Sequence, residues 1–313
     1  MTTTQPLHVV TGAGPVGSTV ALRLADLGHP VRLLTRSGSG PEHALIDRRR
    51  VDVSDRAALA PHVEGAAAVH HCIHGSKYRA KVWRAELPSA EQVVLDVAAA
   101  AGAVVVFPES LYSYGRVDGL ITEHSPRTAT GGKLGVRADL LRAREASAAH
   151  TVSVVASDFF GPRVRMSHAG ERLVPRILAG KGVSVVGSLD QPHSFTYVPD
   201  LARAMVVASL DDRLWDTVLH APTVEAGTQR NLVTAVADAA GVPRPRMLVI
   251  PSWLFKALGV VLVDMKELAE TSYQFDRPFV MSSTASEELL DLAPTPFEQQ
   301  VKETVVWWQA QEG

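Results

Sequence analysis

The sequence predicts an α/β protein: a doubly wound parallel sheet of about seven strands with a smaller mixed C-terminal lobe. Three observations carry this. Solid apolar runs recur at 7–11, 31–35, 67–73, 103–107 and 151–156, as strands buried on both faces require. Segments with helical spacing alternate with them, the pattern of repeated β-α units. The first run ends in a glycine-rich turn that opens a helix.

Residues 7–11 form the first strand, and 16–27 the first helix, with Val16, Val20, Leu24 and Leu27 on one face. Gly28-His29-Pro30 stops that helix, and 31–35 is the second strand. Val51-Asp52-Val53 reads as the end of a third strand and 67–73 as a fourth. A helix over 90–101 leads into strand 103–107, and a helix over 133–148 into strand 151–156. After Phe160-Gly161-Pro162 the segments shorten and turns multiply, which marks a second lobe. Helix 199–210 and the apolar segment 217–221 return to the sheet. The expected division is a dinucleotide-binding domain of 1–160 plus about 193–224, and a substrate lobe of about 161–192 and 225–313.

Composition bounds the function. The chain has 313 residues, 46% hydrophobic and 20% charged, which builds a globular core and excludes a disordered chain. The net charge of −2 gives no electrostatic reason to expect nucleic acid or an anionic membrane as partner. Cys72 is the single cysteine, which excludes internal disulfides and fits a reducing cytosol. The most apolar stretch, 93–107, is broken by Asp96 and Gly102, and the N-terminus lacks the pattern of a signal peptide. A soluble, cytoplasmic protein acting on a small molecule is the expectation.

Gly12-Ala13-Gly14-Pro15-Val16-Gly17 is a Gly-x-Gly-x-x-Gly turn between strand and helix. Gly12 permits the tight turn, Gly14 lets a pyrophosphate approach, and Gly17 lets helix and strand pack closely. The free N–H groups of the helix N-terminus, which opens at Pro15 and Val16, then face the phosphates. This is the Rossmann arrangement for a nicotinamide dinucleotide. An NAD site places an acid after the second strand, but Arg32-Leu33-Leu34-Thr35-Arg36-Ser37 holds none. Arg36 instead offers a guanidinium fork to a 2′-phosphate, so NADP is expected rather than NAD.

With these motifs in place the chain resembles the extended short-chain dehydrogenase/reductase superfamily, of the NAD-dependent epimerase/dehydratase type. Asp52-Val53-Ser54-Asp55 resembles its acidic turn at the adenine, and 108–115 its active-site strand end. Phe159-Phe160-Gly161-Pro162, the segment 195–202, and the tail with Pro294-Thr295-Pro296-Phe297 resemble further landmarks. The resemblance implies a Ser, a Tyr and a Lys, with Tyr four residues before Lys. Ser110 matches the Ser, which polarises the substrate oxygen, and Lys133 matches the Lys, which lowers the Tyr pKa and holds the nicotinamide ribose. Ala129 stands at the Tyr position, so the chain reads as an atypical member lacking that proton donor. It also implies coenzyme or substrate contacts at Asp158, and a homodimer seam on helices 90–101 and 133–148.

Tyr112 lies two residues beyond Ser110 and shares its face if the strand continues, which makes it the first substitute donor. Tyr78 is the second. His70-His71-Cys72-Ile73-His74 reads as a histidine-lined strand end, with no metal expected. Arg48-Arg49-Arg50 reads as a solvated turn, and Trp307-Trp308 as packing of a terminal helix over Val301 and Val305. Trp253, Leu254, Leu258, Val261 and Leu262 form an apolar stretch, either a pocket wall or core. The expected function is an NADP-dependent oxidoreductase of a small carbonyl or alcohol. The alternatives are a sugar-nucleotide epimerase or dehydratase, with Arg163, Arg165 or Arg172 at a diphosphate, and a non-catalytic NADP-binding sensor.

Overall fold

The computed structural model describes residues 5–311. Its first half alternates as the apolar runs require: β1 (Leu7–Thr11), α1 (Pro15–Asp26), β2 (Val31–Thr35), β3 (Ile46–Arg50), α2 (Arg56–Val63), β4 (Ala66–His71), α3 (Ala80–Ala101) and β5 (Val104–Ser110). There follow β6 (Leu120–Ile121), α4 (Gly132–Glu145), β7 (Thr151–Ala156), β8 (Asp158–Phe160), α5 (Val174–Leu178), β9 (Val183–Val186) and β10 (Phe195–Tyr197). The chain closes with α6 (Val198–Leu210), β11 (Thr217–His220), α7 (Gln229–Ala240), β12 (Met247–Ile250), α8 (Ser252–Leu258), α9 (Val263–Thr271), β13 (Val280–Met281), α10 (Thr284–Leu290) and α11 (Phe297–Gln309).

Seven strands form one parallel sheet in the order β11-β7-β5-β4-β1-β2-β3. Alternate residues of each strand feed two separate cores. Val10, Val31 and Leu33 pack with α1 and α6 on one face; Val9, Leu34 and Val69 pack with α2 and α3 on the other. The chain order reverses beside β1, so the carboxyl ends of β1 and β4 open a crevice there. The remaining strands pair in twos as β10-β8, β12-β9 and β13-β6, and α5, α7 and α11 share a third core. No helix among the described residues is long and apolar enough to cross a membrane.

Several local expectations are corrected. The third strand is Ile46–Arg50, so Val51, Asp52 and Val53 follow it rather than end it. The Arg48-Arg49-Arg50 run is therefore an edge strand, not a turn; as the outermost strand it buries only one side, which tolerates exposed arginines. The helix expected at 90–101 starts at Ala80 and runs through Pro88, because Trp83 and Leu87 bury their side chains and packing overrides the proline. β4 ends at His71, so His70, Cys72 and His74 do not alternate along one strand. His70 is buried against His8, and His74 lies beyond the strand against Trp83. The 253–262 stretch is neither core nor pocket wall for its largest side chains: Trp253, Leu258, Val261 and Leu262 are exposed on the α8–α9 hairpin.

Candidate active site

The glycine loop behaves as its spacing demands. Gly12 has φ +88°, and its N–H donates to the Leu34 carbonyl at 2.9 Å, which ties the turn to β2. A Cβ on Gly17 would lie 2.0 Å from the Gly12 carbonyl oxygen, so only glycine lets α1 press this closely on the loop. A Cβ on Gly14 would meet nothing within 4 Å; that side of the loop is open. Gly14 caps α1 and Pro15 fills its first position, where a missing N–H costs nothing. The backbone N–H groups of Val16 and Gly17 are then the helix's free donors, carrying the positive end of its dipole. A close-packed loop with one open side and a helix start behind it fits a dinucleotide pyrophosphate.

The residues expected at the adenine lie at the next two strand ends. Arg36 follows β2 and is exposed. Asp52 accepts from the Ser54 N–H at 3.0 Å and its hydroxyl at 2.6 Å. Those bonds hold its carboxyl below the usual range, with a further contribution from the Arg36 charge. Val53 is buried beneath it.

At the other end, β5 places Ser110 opposite Ala156 of β7. The chain then leaves extended geometry for a 3₁₀ turn over Leu111–Tyr114, so Tyr112 does not share a strand face with Ser110 as alternation predicted. Its ring stacks on Trp83, and its hydroxyl lies 2.6 Å from that of Tyr78. The two candidate donors thus form one pair, to which Thr271 of α9 adds a 3.3 Å contact. Burial raises the Tyr112 phenol well above its usual pKa, with Tyr78 adding to the effect, and burial pushes the Tyr78 phenol up to about 12. Both are neutral near pH 7 and hold protons to donate.

Lys133 is fully buried rather than a surface residue. Its ammonium lies 2.7 Å from the Glu267 carbonyl, 2.7 Å from Glu267 Oε2 and 2.7 Å from Glu270 Oε2. All three ammonium hydrogens are committed to α9. The same nitrogen sits 4.5 Å above the Tyr78 ring. Two carboxylates therefore hold the ammonium beside the Tyr78 ring.

Ser110 donates from its N–H and its hydroxyl to Glu109 Oε1, at 2.7 and 3.3 Å. Glu109 is buried and bound by Arg137 at 2.5 and 2.6 Å and by Arg144 at 2.8 Å. Burial pushes its carboxyl up, but the two guanidinium charges outweigh this and the net shift is downward. Arg144 also grips Glu91 through two bonds. Asp158 opens β8 and lies 2.7 Å from His193 Nε2, whose ring stacks on Phe275. Burial raises the Asp158 carboxyl, and the His193 contact brings it back below its usual value. Glu109, Arg137, His193, Glu267 and Glu270 escaped sequence reasoning. Each is a polar residue with no motif around it, and only the fold shows what it faces. A cavity of ≈ 450 Å³ lies at the opposite, amino ends of β7 and β11, where the paired Arg144 lines it.

The model of the NAD dependent epimerase/dehydratase family matches residues 8–214. No curated protein matches the sequence significantly. Among solved structures, a UDP-glucose 4-epimerase from Thermotoga maritima with UDP-glucose superposes with a TM-score of 0.79 at 17% identity, covering 98% of this chain and 100% of that one. A double mutant of a dTDP-glucose 4,6-dehydratase from Streptomyces venezuelae, with NAD bound, gives 0.78 at 19% identity, covering 98% of each chain. A UDP-glucose 4-epimerase from Thermus thermophilus in complex with NAD gives 0.76 at 19%, covering 97% and 99%. At these identities the likeness carries the fold, a seven-stranded parallel sheet flanked by helices, and not the substrate.

Proposed function

The chain belongs to the NAD-dependent epimerase/dehydratase family, and from that premise we propose that it is an NADP-dependent oxidoreductase of a small carbonyl or alcohol compound. The carrying observation is the glycine loop, whose single open side at Gly14 faces the crevice while Arg36, not an acid, follows β2. Gly12, Gly14, Pro15, Val16 and Gly17 would hold the pyrophosphate, Arg36 the 2′-phosphate, and Asp52 and Val53 the adenine edge. When bound, the nicotinamide supplies the hydride chemistry.

The chain's own residues do the rest. Ser110 donates its hydroxyl hydrogen to the substrate oxygen, once it turns from Glu109. Tyr112 passes its phenolic proton to that oxygen as charge develops there and recovers one from Tyr78, 2.6 Å away. The pair stands in for the tyrosine that Ala129 replaces. Lys133 anchors the ribose only if α9 gives up part of its hold on the ammonium. Asp158 and His193 bound the substrate side.

A sugar-nucleotide epimerase or dehydratase, the activity named for the structural neighbours, is the second reading. It needs cations for a diphosphate. Arg165 instead lies over Trp307 and Trp308 at 5.4 and 5.2 Å, and the carboxylates of Asp158, Glu267 and Glu270 occupy the Lys133 and His193 contacts. The test is NADPH oxidation with aldehydes, ketones and quinones, run beside epimerisation of UDP- and dTDP-sugars. Turnover of a small carbonyl, falling about 100-fold in Tyr112→Phe with coenzyme affinity unchanged, is the expected result. Turnover of sugar nucleotides alone supports the second reading, and binding with no turnover of any compound makes the chain an NADP sensor.

A further inference from the structure

We infer that Arg50 is a second specificity-determining residue for the coenzyme 2′-phosphate, acting beside Arg36. This rests on the NADP reading above. The register of β3 on β2 sets Arg50 opposite Thr35, the residue before Arg36, and the Val51 N–H closes on the Thr35 carbonyl at 3.0 Å. Gly38, at φ +73°, then folds the following turn back onto β3, so that a Cβ there would lie 3.6 Å from Arg50 Cβ. Arg36 thus leaves the end of β2 and Arg50 closes the neighbouring end of β3.

The neighbouring cations are engaged. Arg48 donates to the Gly40 carbonyl and to Glu42, Arg49 to Asp47, and Arg32 to the His62 carbonyl. Among the described residues Arg36 and Arg50 have no ion-pair partner. The nearby acids are engaged by serines: one Asp52 oxygen by Ser54, and Glu86 by the Ser76 N–H and hydroxyl. The turn adds the hydroxyls of Ser37 and Ser39, 2.6 Å apart. Two guanidinium groups without ion-pair partners and two hydroxyls suit a dianionic phosphate. The expected surplus of basic residues on an edge strand explains Arg48 and Arg49, but not an arginine left unpaired at its final position.

Calorimetric titration of wild type, Arg50→Ala, Arg50→Lys and Arg36→Ala with NADP+ and NAD+ tests this. Arg50→Ala should weaken NADP+ about tenfold and leave NAD+ unchanged, and the NAD+ titration doubles as the control for folding. Arg50→Lys should recover part of the loss, since it keeps the charge without the fork. If Arg50→Ala binds NADP+ as wild type does while Arg36→Ala loses it, Arg50 has no such role and the NADP reading stands. If wild type binds NAD+ as tightly as NADP+, the NADP reading itself fails and the inference falls with it.

Discussion

The glycine loop takes its shape from residues 11–17, whereas the Ser110 end assembles Tyr78, Tyr112, Lys133, Glu267, Glu270 and Thr271 from distant parts of the chain. The first is fixed by backbone sterics: a Cβ 2.0 Å from a carbonyl oxygen admits no residue but glycine. The second is fixed by charge. Glu109, Arg137, Arg144 and Glu91 form a buried ionic floor under Ser110, and α9 supplies two carboxylates to Lys133. A site made by local sterics tolerates a distant substitution. One made by buried charges fails when any single partner is removed, because the remainder is left uncompensated.

The largest expected effect follows from that contrast. Glu109→Ala leaves Arg137 without its carboxylate and Arg144 with one of two, and should cost about 3–5 kcal/mol, read as a drop in denaturant midpoint. A loss under about 1 kcal/mol would show that the floor is not held by charge.

Acid should destabilise the glycine-loop half. His8 and His71 lie on β1 and β4, the strands that flank the crevice, and burial pushes both imidazoles down to about 4, with the His29 charge adding to the effect on His8. Unfolded imidazole takes up its proton near pH 6.5, so the unfolded state binds more protons between pH 6.5 and 4. Stability is therefore whole above pH 6.5, falls as pH drops through that window, and levels off for these groups below about 4. Each contributes on the order of 3 kcal/mol at most. Thermal melts from pH 7 to 4 check the slope, and His8→Gln should flatten it.

Gly17→Ala should cost about 1–3 kcal/mol and abolish coenzyme binding, because helix and loop must part. Tyr112→Phe should change stability least, by under about 1 kcal/mol, since the ring and its stack on Trp83 remain while one phenol contact goes. Activity and stability should therefore separate at Tyr112 and fail together at Glu109.

The same contrast governs what the sequence makes legible. Apart from β3, whose Asp-Arg-Arg-Arg run reads as a turn, the parallel strands announce themselves as apolar runs, and the Gly-x-Gly-x-x-Gly turn carries its stereochemistry in its spacing. Tyr112 was identifiable as a candidate, but its geometry was not: strand alternation put it beside Ser110, while the chain turns at Leu111 and delivers its hydroxyl to Tyr78. Lys133 was found by its position in a motif, and its environment was invisible because Glu267 and Glu270 stand more than 130 positions away in the chain. Arg50 was hidden for another reason. Three consecutive arginines read as a turn until the β2 register shows that the first two are paired and the third is not.

Titration of the wild-type protein with NADP+ and with NAD+, followed by heat, tests the coenzyme assignment most directly. A single site that takes NADP+ at least about tenfold more tightly than NAD+ is the predicted result. Heat from neither dinucleotide, or from NAD+ alone, would contradict it.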